Sequence, residues 1–193
     1  MKPMLLMTIA AILGIGGMYA FDREIAIDES DQDFIAYKTM MKVVTHVRCM
    51  NCHPAGDRPL QGEDSHIHYF GVQRGEDGHG VAALKCGTCH QDENNLNSGV
   101  PGAPHWHLAP RSMAWEGLSD PEIARRIVDQ KFNGGKTLQE IEKHMTEDDL
   151  VLWAFNPGVN NEGIPREKPP VSEQEFIEAV KLWIASGAKI PNE

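Results

Sequence analysis

The chain has little positive charge, few aromatic side chains and few cysteines. Lysine and arginine number 18 against 28 aspartates and glutamates, which gives a formal net charge of −10. Because nucleic acids and anionic lipid surfaces attract basic proteins, this balance argues against both as partners. The acidic surface fits either simple solubility or attraction towards a basic patch on a partner protein.

All four cysteines lie in two short motifs of the same kind. Residues 49–53 read CMNCH, and residues 86–90 read CGTCH. This pattern is typical of c-type haem attachment, in which two thiols add to the haem vinyl groups and the histidine binds the iron. Zinc ribbons also contain two such cysteine pairs, and a pair can close a disulfide, so both stay as alternatives.

The histidine that follows each pair favours two covalently bound haem c groups. The predicted attachment residues are Cys49, Cys52, Cys86 and Cys89, with His53 and His90 as proximal iron ligands. Two haems would supply part of the hydrophobic core, which agrees with an aromatic content of only 7%. Trp106 and Trp115 are expected to pack on haem faces or edges.

The N-terminus has the features of an export signal. After Lys2, residues 4–21 form an uncharged run of 18 residues, at the lower edge of what spans a bilayer. Residues 1–20 are therefore predicted to be a signal peptide or a short membrane anchor. A cut after Ala20 would place Met18 where a small residue is preferred, so both interpretations stay open. The remaining domain, residues 21–193, is expected in the periplasm, soluble or anchored to the inner membrane.

Helix-start signals recur along the chain, and no convincing strand pair is found. Ser30, Ser119, Thr137, Thr146 and Ser172 are predicted N-caps, the second and last in capping boxes. The apolar positions at helical spacing in the first helix are Phe34, Ile35, Tyr37, Met40, Met41, Val44 and Val47. Gly- and Pro-rich loops fill residues 54–80 and 156–170. The predicted fold class is all-α, mostly helical with long irregular loops, as a dihaem cytochrome c domain.

The motifs do not identify the second, distal ligand of either iron. Met113 lies 60 residues after His53, the spacing at which single-haem class I cytochromes place a distal methionine. His144 lies 54 residues after His90, so Met113 is favoured for the first haem and His144 for the second. A buried core methionine and a surface histidine are the alternatives for these two residues. Further distal candidates are His66, His68 and His107.

Short segments along the chain carry a resemblance to a known family. They are residues 49–57 (CMNCHPAGD), 61–64 (QGED), 74–78 (RGEDG), 100–102 (VPG), 106–110 (WHLAP), 113–115 (MAW), 133–135 (NGG), 149–153 (DLVxW) and 156–158 (NPG). They resemble a bacterial dihaem cytochrome c family, the isoquinoline 1-oxidoreductase subunits, over about residues 48–190. The chain departs from that pattern at residues 159–170, where its loop is longer and more charged.

The resemblance implies electron transfer beside a molybdenum hydroxylase that oxidises N-heteroaromatics or aldehydes. This chain shows no molybdopterin or flavin site of its own. The histidines that do not match the family pattern are His46, His79 and His105. The distal candidates on matching positions are His66, His68, His107, Met113 and His144.

These features predict an exported dihaem c-type cytochrome that carries electrons between a periplasmic or membrane dehydrogenase and the respiratory chain. Its expected partners are redox proteins, a molybdenum hydroxylase among them, and residues 4–21 would supply any membrane attachment. It is not expected to be an enzyme. The alternative is a dihaem peroxidase-like enzyme, which needs one iron with an open distal position. A haem-based sensor would usually carry an output domain, and none is found in the sequence.

Overall fold

The computed structural model describes residues 28–191, of which 41% are helical and 7% are in strands. The α-helices in this range are α1 (Glu29–Val44), α2 (Val47–Met50), α3 (Asp120–Val128), α4 (Leu138–Glu147), α5 (Asp149–Leu152) and α6 (Glu173–Ala185). The predicted mostly helical fold with long loops is confirmed at this level. The predicted signal peptide or anchor, residues 1–20, lies outside the described range. Within that range, no helix is both long enough and apolar enough to cross a bilayer.

Three of the predicted helix starts are confirmed. Ser119, Thr137 and Ser172 cap α3, α4 and α6, each in a capping box with a glutamate three residues later. Helix α6 ends as expected, with Gly187 at a φ of +85° just beyond it. These signals were readable because a capping box is complete within four consecutive residues.

Two predicted caps are wrong, and in both cases a nearby aspartate is the cap instead. Helix α1 is capped by Asp28, whose carboxylate accepts a 3.3 Å hydrogen bond from the Ser30 N–H. Helix α5 is capped by Asp148, which accepts from the Leu150 N–H at 2.9 Å, while Thr146 lies inside α4. Where two cap-forming side chains lie within two residues of each other, the sequence pattern does not distinguish them.

The core lies where α1 and α4 pack against α6. Met40 and Met41 are fully buried in it, which confirms their prediction as core residues. The Tyr37 ring lies 6.5 Å from the Trp183 ring across the α1–α6 interface. Phe34 and Ile35 are 51% and 54% exposed, so the predicted apolar stripe on α1 was too wide.

Two short antiparallel strand pairs interrupt the long loop between the motifs, so the expectation of no strand pair is wrong. Strand β1 (Leu60–Gln61) pairs with β2 (His66–Ile67), and β3 (Gly80–Val81) pairs with β4 (Leu84–Lys85). Two-residue strands are too short to produce an alternating sequence pattern. Each hairpin leads directly into a residue of interest, β2 into His68 and β4 into Cys86.

Candidate functional site

The first motif is wound into a helical turn. Helix α2 carries Cys49, and the turn continues past it through hydrogen bonds from Cys52 N–H to the Cys49 carbonyl and from His53 N–H to the Met50 carbonyl. In a helical turn, residues three apart lie on the same side. The motif therefore presents its two thiols on one side, with His53 directly after them.

The ring of His53 is held by two neighbours. Its Nδ1 lies 2.7 Å from the Met113 carbonyl oxygen, and the Trp115 indole stacks on it with ring centres 3.4 Å apart and planes 10° apart. The backbone N–H of Trp115 also donates to the His53 backbone carbonyl at 2.9 Å. Because a carbonyl can only accept, Nδ1 carries the ring proton and Nε2 keeps its lone pair. We call His53, Trp115 and the two cysteines of this motif the first site.

The second motif repeats this arrangement with different elements. Cys86 begins a short 3-10 helix (Cys86–Thr88) that Cys89 directly follows, and His90 Nδ1 lies 2.7 Å from the Pro101 carbonyl oxygen. The Trp106 indole stacks on His90 at 4.5 Å with planes 5° apart. Again Nδ1 must be the donor and Nε2 keeps its lone pair. His90, Trp106 and the cysteines of this motif form the second site.

A buried arginine joins the chain segments of the first site. Arg74 is 4% exposed and donates to the carbonyls of Pro54, Gly56 and Ala109. The first two follow His53 in sequence, and Ala109 N–H bonds the Cys52 carbonyl. Sequence reasoning assigned Arg74 no role, because its partners are backbone atoms far apart in the chain. The available signal was its position in residues 74–78, one of the segments that carry the family resemblance.

Asn94 has the corresponding role at the second site. Its Oδ1 accepts from Gly102 N–H at 3.1 Å and from the Trp153 indole N–H at 2.9 Å, and its Nδ2 donates to the Asn156 carbonyl at 2.8 Å. Trp153 in turn contacts Trp106 edge-on, with ring centres 5.0 Å apart. The segment that supplies the Pro101 carbonyl is thus tied to the end of α5. No sequence signal pointed to Asn94.

Burial and neighbouring charges keep both motif histidines neutral. The pKa of His53 is lowered to about 3, chiefly by burial; its bond to the Met113 carbonyl raises the pKa, and His144, Arg74 and His107 lower it. Burial also lowers the pKa of His90, with smaller contributions from His68 and Arg166. A neutral imidazole with a free Nε2 is the form that binds a metal.

The donor set fits haem. A haem supplies four iron ligands itself, so the protein need offer only one or two more, and each site offers the Nε2 of a histidine. The four cysteines are free thiols. The indole N–H of Trp115, beside His53, is buried with no partner among residues 28–191, which suits an acceptor such as a haem carboxylate. Within the same residues, no group of three or more His, Cys, Asp or Glu side chains is placed to hold a bare metal ion.

The chain matches no protein-family model, no curated protein and no solved structure.

Met113, favoured from spacing as the first distal ligand, lies on the wrong side of His53 for that role. Its carbonyl binds His53 Nδ1, at the end of the ring away from Nε2. Its side chain is 8% exposed and packs in the hydrophobic core. A distal ligand must approach the iron from the face opposite the proximal histidine. This geometry argues against Met113 as the partner of His53.

His144 and His107 lie near the first site. Both contribute to the lowered pKa of His53, whereas neither contributes to that of His90. His144 Nδ1 lies 3.0 Å from an Asp148 carboxylate oxygen and borders a surface hollow of about 560 Å³. His107 Nδ1 lies 2.5 Å from the His105 carbonyl oxygen. His144 is thus placed near the first site, whereas its spacing predicted it for the second.

His66 and His68 are two residues apart and differ in their surroundings. His66 Nδ1 lies 2.5 Å from an Asp64 carboxylate oxygen, and its ring packs against Tyr69 at 4.8 Å. The ring of His68 lies 6.1 Å from the ring of His90. Of the five distal candidates, His68 is the one whose ring the structure brings next to the second site.

Proposed function

We propose that this chain is an exported dihaem c-type cytochrome that carries electrons between a periplasmic or membrane dehydrogenase and the respiratory chain. The observation that carries the proposal is the shared arrangement at the two motifs. In each, the histidine directs Nδ1 to a backbone carbonyl, stacks on a tryptophan and keeps Nε2 free. Orientation of a ligating imidazole through its other nitrogen is a general feature of metal sites.

The cysteines would hold the haems permanently. Each thiol adds across one vinyl double bond, so that a sulfur–carbon and a carbon–hydrogen bond form and nothing leaves. Cys49 and Cys52 would hold one haem, and Cys86 and Cys89 the other. When bound, each haem supplies an iron that exchanges one electron at a time.

The other residues of the sites orient the ligands and set their environment. Met113 and Pro101 fix the two proximal rings through their carbonyls, and the stacked tryptophans limit water at the ring faces. Arg74 places a positive charge near His53. Such a charge stabilises the more negative, reduced state of a nearby redox centre, so Arg74 would raise the potential of the first haem.

The electron donor would be a dehydrogenase, which is oxidised by one electron for each haem reduced. A molybdenum hydroxylase is the donor class that the sequence resemblance implies. The acceptor would be a component of the respiratory chain. Export through residues 1–20 would place the protein in the periplasm, where haem is attached.

Low-temperature EPR of the oxidised protein, with and without cyanide and peroxide, tests this function. Two low-spin ferric signals that neither reagent changes are expected for two irons with both axial positions filled. The alternative, a peroxidase-like enzyme with one open iron, predicts a high-spin signal that shifts with either reagent. That result would overturn the electron-transfer proposal while leaving haem attachment intact.

A further inference from the structure

We propose that His68 is the distal iron ligand of the haem attached to Cys86 and Cys89, opposite His90. The proposal rests on the proposed function, since it assumes that a haem is bound at the second site. It deepens that function by completing the second iron site with a residue that the attachment motif does not specify.

The backbone around His68 is held in place by several hydrogen bonds. Its N–H donates to the Pro59 carbonyl at 2.9 Å, and its carbonyl accepts from Arg58 at 2.8 Å. The next residue, Tyr69, donates its N–H to the Gln61 side chain at 3.1 Å. The antiparallel β1–β2 pair directly precedes His68 in the chain. His68 therefore directly follows a hairpin, and hydrogen bonds fix its backbone on both sides.

The ring of His68 presents the same nitrogen as the proximal histidines. Its Nδ1 lies 2.8 Å from the Tyr69 carbonyl oxygen, so Nδ1 is the donor and Nε2 keeps its lone pair. Within residues 28–191, neither His68 nor His90 makes a hydrogen bond through Nε2. In both rings the hydrogen bond at Nδ1 leaves Nε2 as the nitrogen available to a metal, which is how ligating histidines are usually oriented.

The separation of the two ring centres matches that of two imidazoles bound to one metal ion. Their centres are 6.1 Å apart and their planes are 71° apart. With metal–nitrogen bonds of about 2.0 Å, and about 1.1 Å from each ring nitrogen to its ring centre, two imidazoles on opposite sides of one metal have centres about 6 Å apart. One face of His90 is already covered by Trp106, so His68 approaches from another direction.

The rings of the other candidates have other neighbours than His90. His66 Nε2 is buried without a hydrogen-bond partner among residues 28–191, but its ring packs against Tyr69, and Met113 packs in the core on the Nδ1 side of His53. His107 stacks on His79 with ring centres 4.8 Å apart, and His144 bonds Asp148. A second iron with two histidine ligands is expected to have a lower reduction potential than one with His/Met ligation.

Three variants of the full, haem-loaded chain test the assignment: His68→Ala, His68→Met and the control His66→Ala. Intact mass first confirms that each variant carries two haems, and circular dichroism confirms that it is folded. Loss of haem from the wild type would defeat the proposed function, whereas the remaining readouts concern His68 alone.

In His68→Ala we expect one of the two low-spin EPR signals to be lost to a high-spin signal, and added imidazole to restore it. In His68→Met we expect both haems to stay low-spin while one reduction potential shifts upward. His66→Ala should match the wild type. If His68→Ala does not fold, the potential of His68→Met decides the question.

A further pair of variants assigns the affected haem. In a Cys86→Ala/Cys89→Ala background, which keeps only the first haem, His68→Ala should leave the spectrum unchanged. Two low-spin signals and unchanged potentials in the two His68 variants, or a change in the first haem within this background, would overturn the assignment.

Discussion

Arg74 is a buried side chain that joins separate chain segments around the first site. Its guanidinium donates to three carbonyls from two chain segments. A lysine has one compact ammonium and cannot reproduce this fork.

Arg74→Lys is therefore expected to lower the free energy of unfolding by about 1–3 kcal/mol, since buried carbonyls are left unpaired. Denaturant titration of the purified protein measures this. Arg74 and Arg111 both lie beside the Asp57 carboxylate, but Arg111 is exposed. Arg111→Lys is therefore the control, and it should lower the free energy of unfolding by only about 0–1 kcal/mol. Equal losses in the two variants would contradict the role given to Arg74.

Gly102 lies next to the carbonyl that orients His90, and it has no room for a side chain. A Cβ there would lie 2.2 Å from the Glu93 carbonyl oxygen and 2.4 Å from that of Gln91. Gly102→Ala must shift the backbone that carries the Pro101 carbonyl. We expect it to alter the EPR signal of the second haem and to leave that of the first unchanged.

Gly56→Ala is the matched control, because Gly56 lies outside the second motif and no atom beyond its chain neighbours lies within 4 Å of its added Cβ. Wild-type spectra from both variants would show that the Pro101 carbonyl does not position His90. Changes of equal size in both haem signals of Gly102→Ala would point to general unfolding instead.

At the level of helices, complete capping boxes predicted the helix starts correctly, whereas sites with two possible cap residues close together did not. The boxes beginning at Ser119, Thr137 and Ser172 were predictable because each is complete within four residues. The caps at Asp28 and Asp148 were not, because each competes with a hydroxyl residue two positions away.

The three capping glutamates make helix stability depend on pH. Hydrogen bonds from the backbone N–H and hydroxyl of the cap residue lower the pKa of Glu122, Glu140 and Glu175 below the usual 4.5. A carboxylate with a lowered folded pKa contributes stability that is present above its unfolded pKa and is lost as pH falls through the folded value.

Glutamine keeps the capping box but does not titrate. The variant Glu122→Gln/Glu140→Gln/Glu175→Gln should therefore lose less stability than the wild type between about pH 6 and about pH 3. Thermal unfolding at a series of pH values measures the difference. Parallel pH curves for the two proteins would contradict the role of these carboxylates.

For the whole molecule, the sequence predicts a ligand but not which distant residues come together. Residues 49–53 and 86–90 each predict their own proximal histidine, because the attachment chemistry is local. The approach of His68 to His90 joins a hairpin to a distant turn, and no spacing rule contains that contact. Likewise, the spacing of Met113 predicted an iron ligand, whereas in the fold its backbone carbonyl accepts a hydrogen bond from His53 Nδ1.

The attachment of two haems is the claim on which the rest of the function depends. The most direct measurement is the intact mass of the denatured full chain, produced in a host that attaches c-type haem. We predict the mass of the chain plus two haems, and the mass plus one haem for Cys86→Ala/Cys89→Ala. A bare chain mass, with zinc found by metal analysis of the native protein, would contradict the cytochrome function.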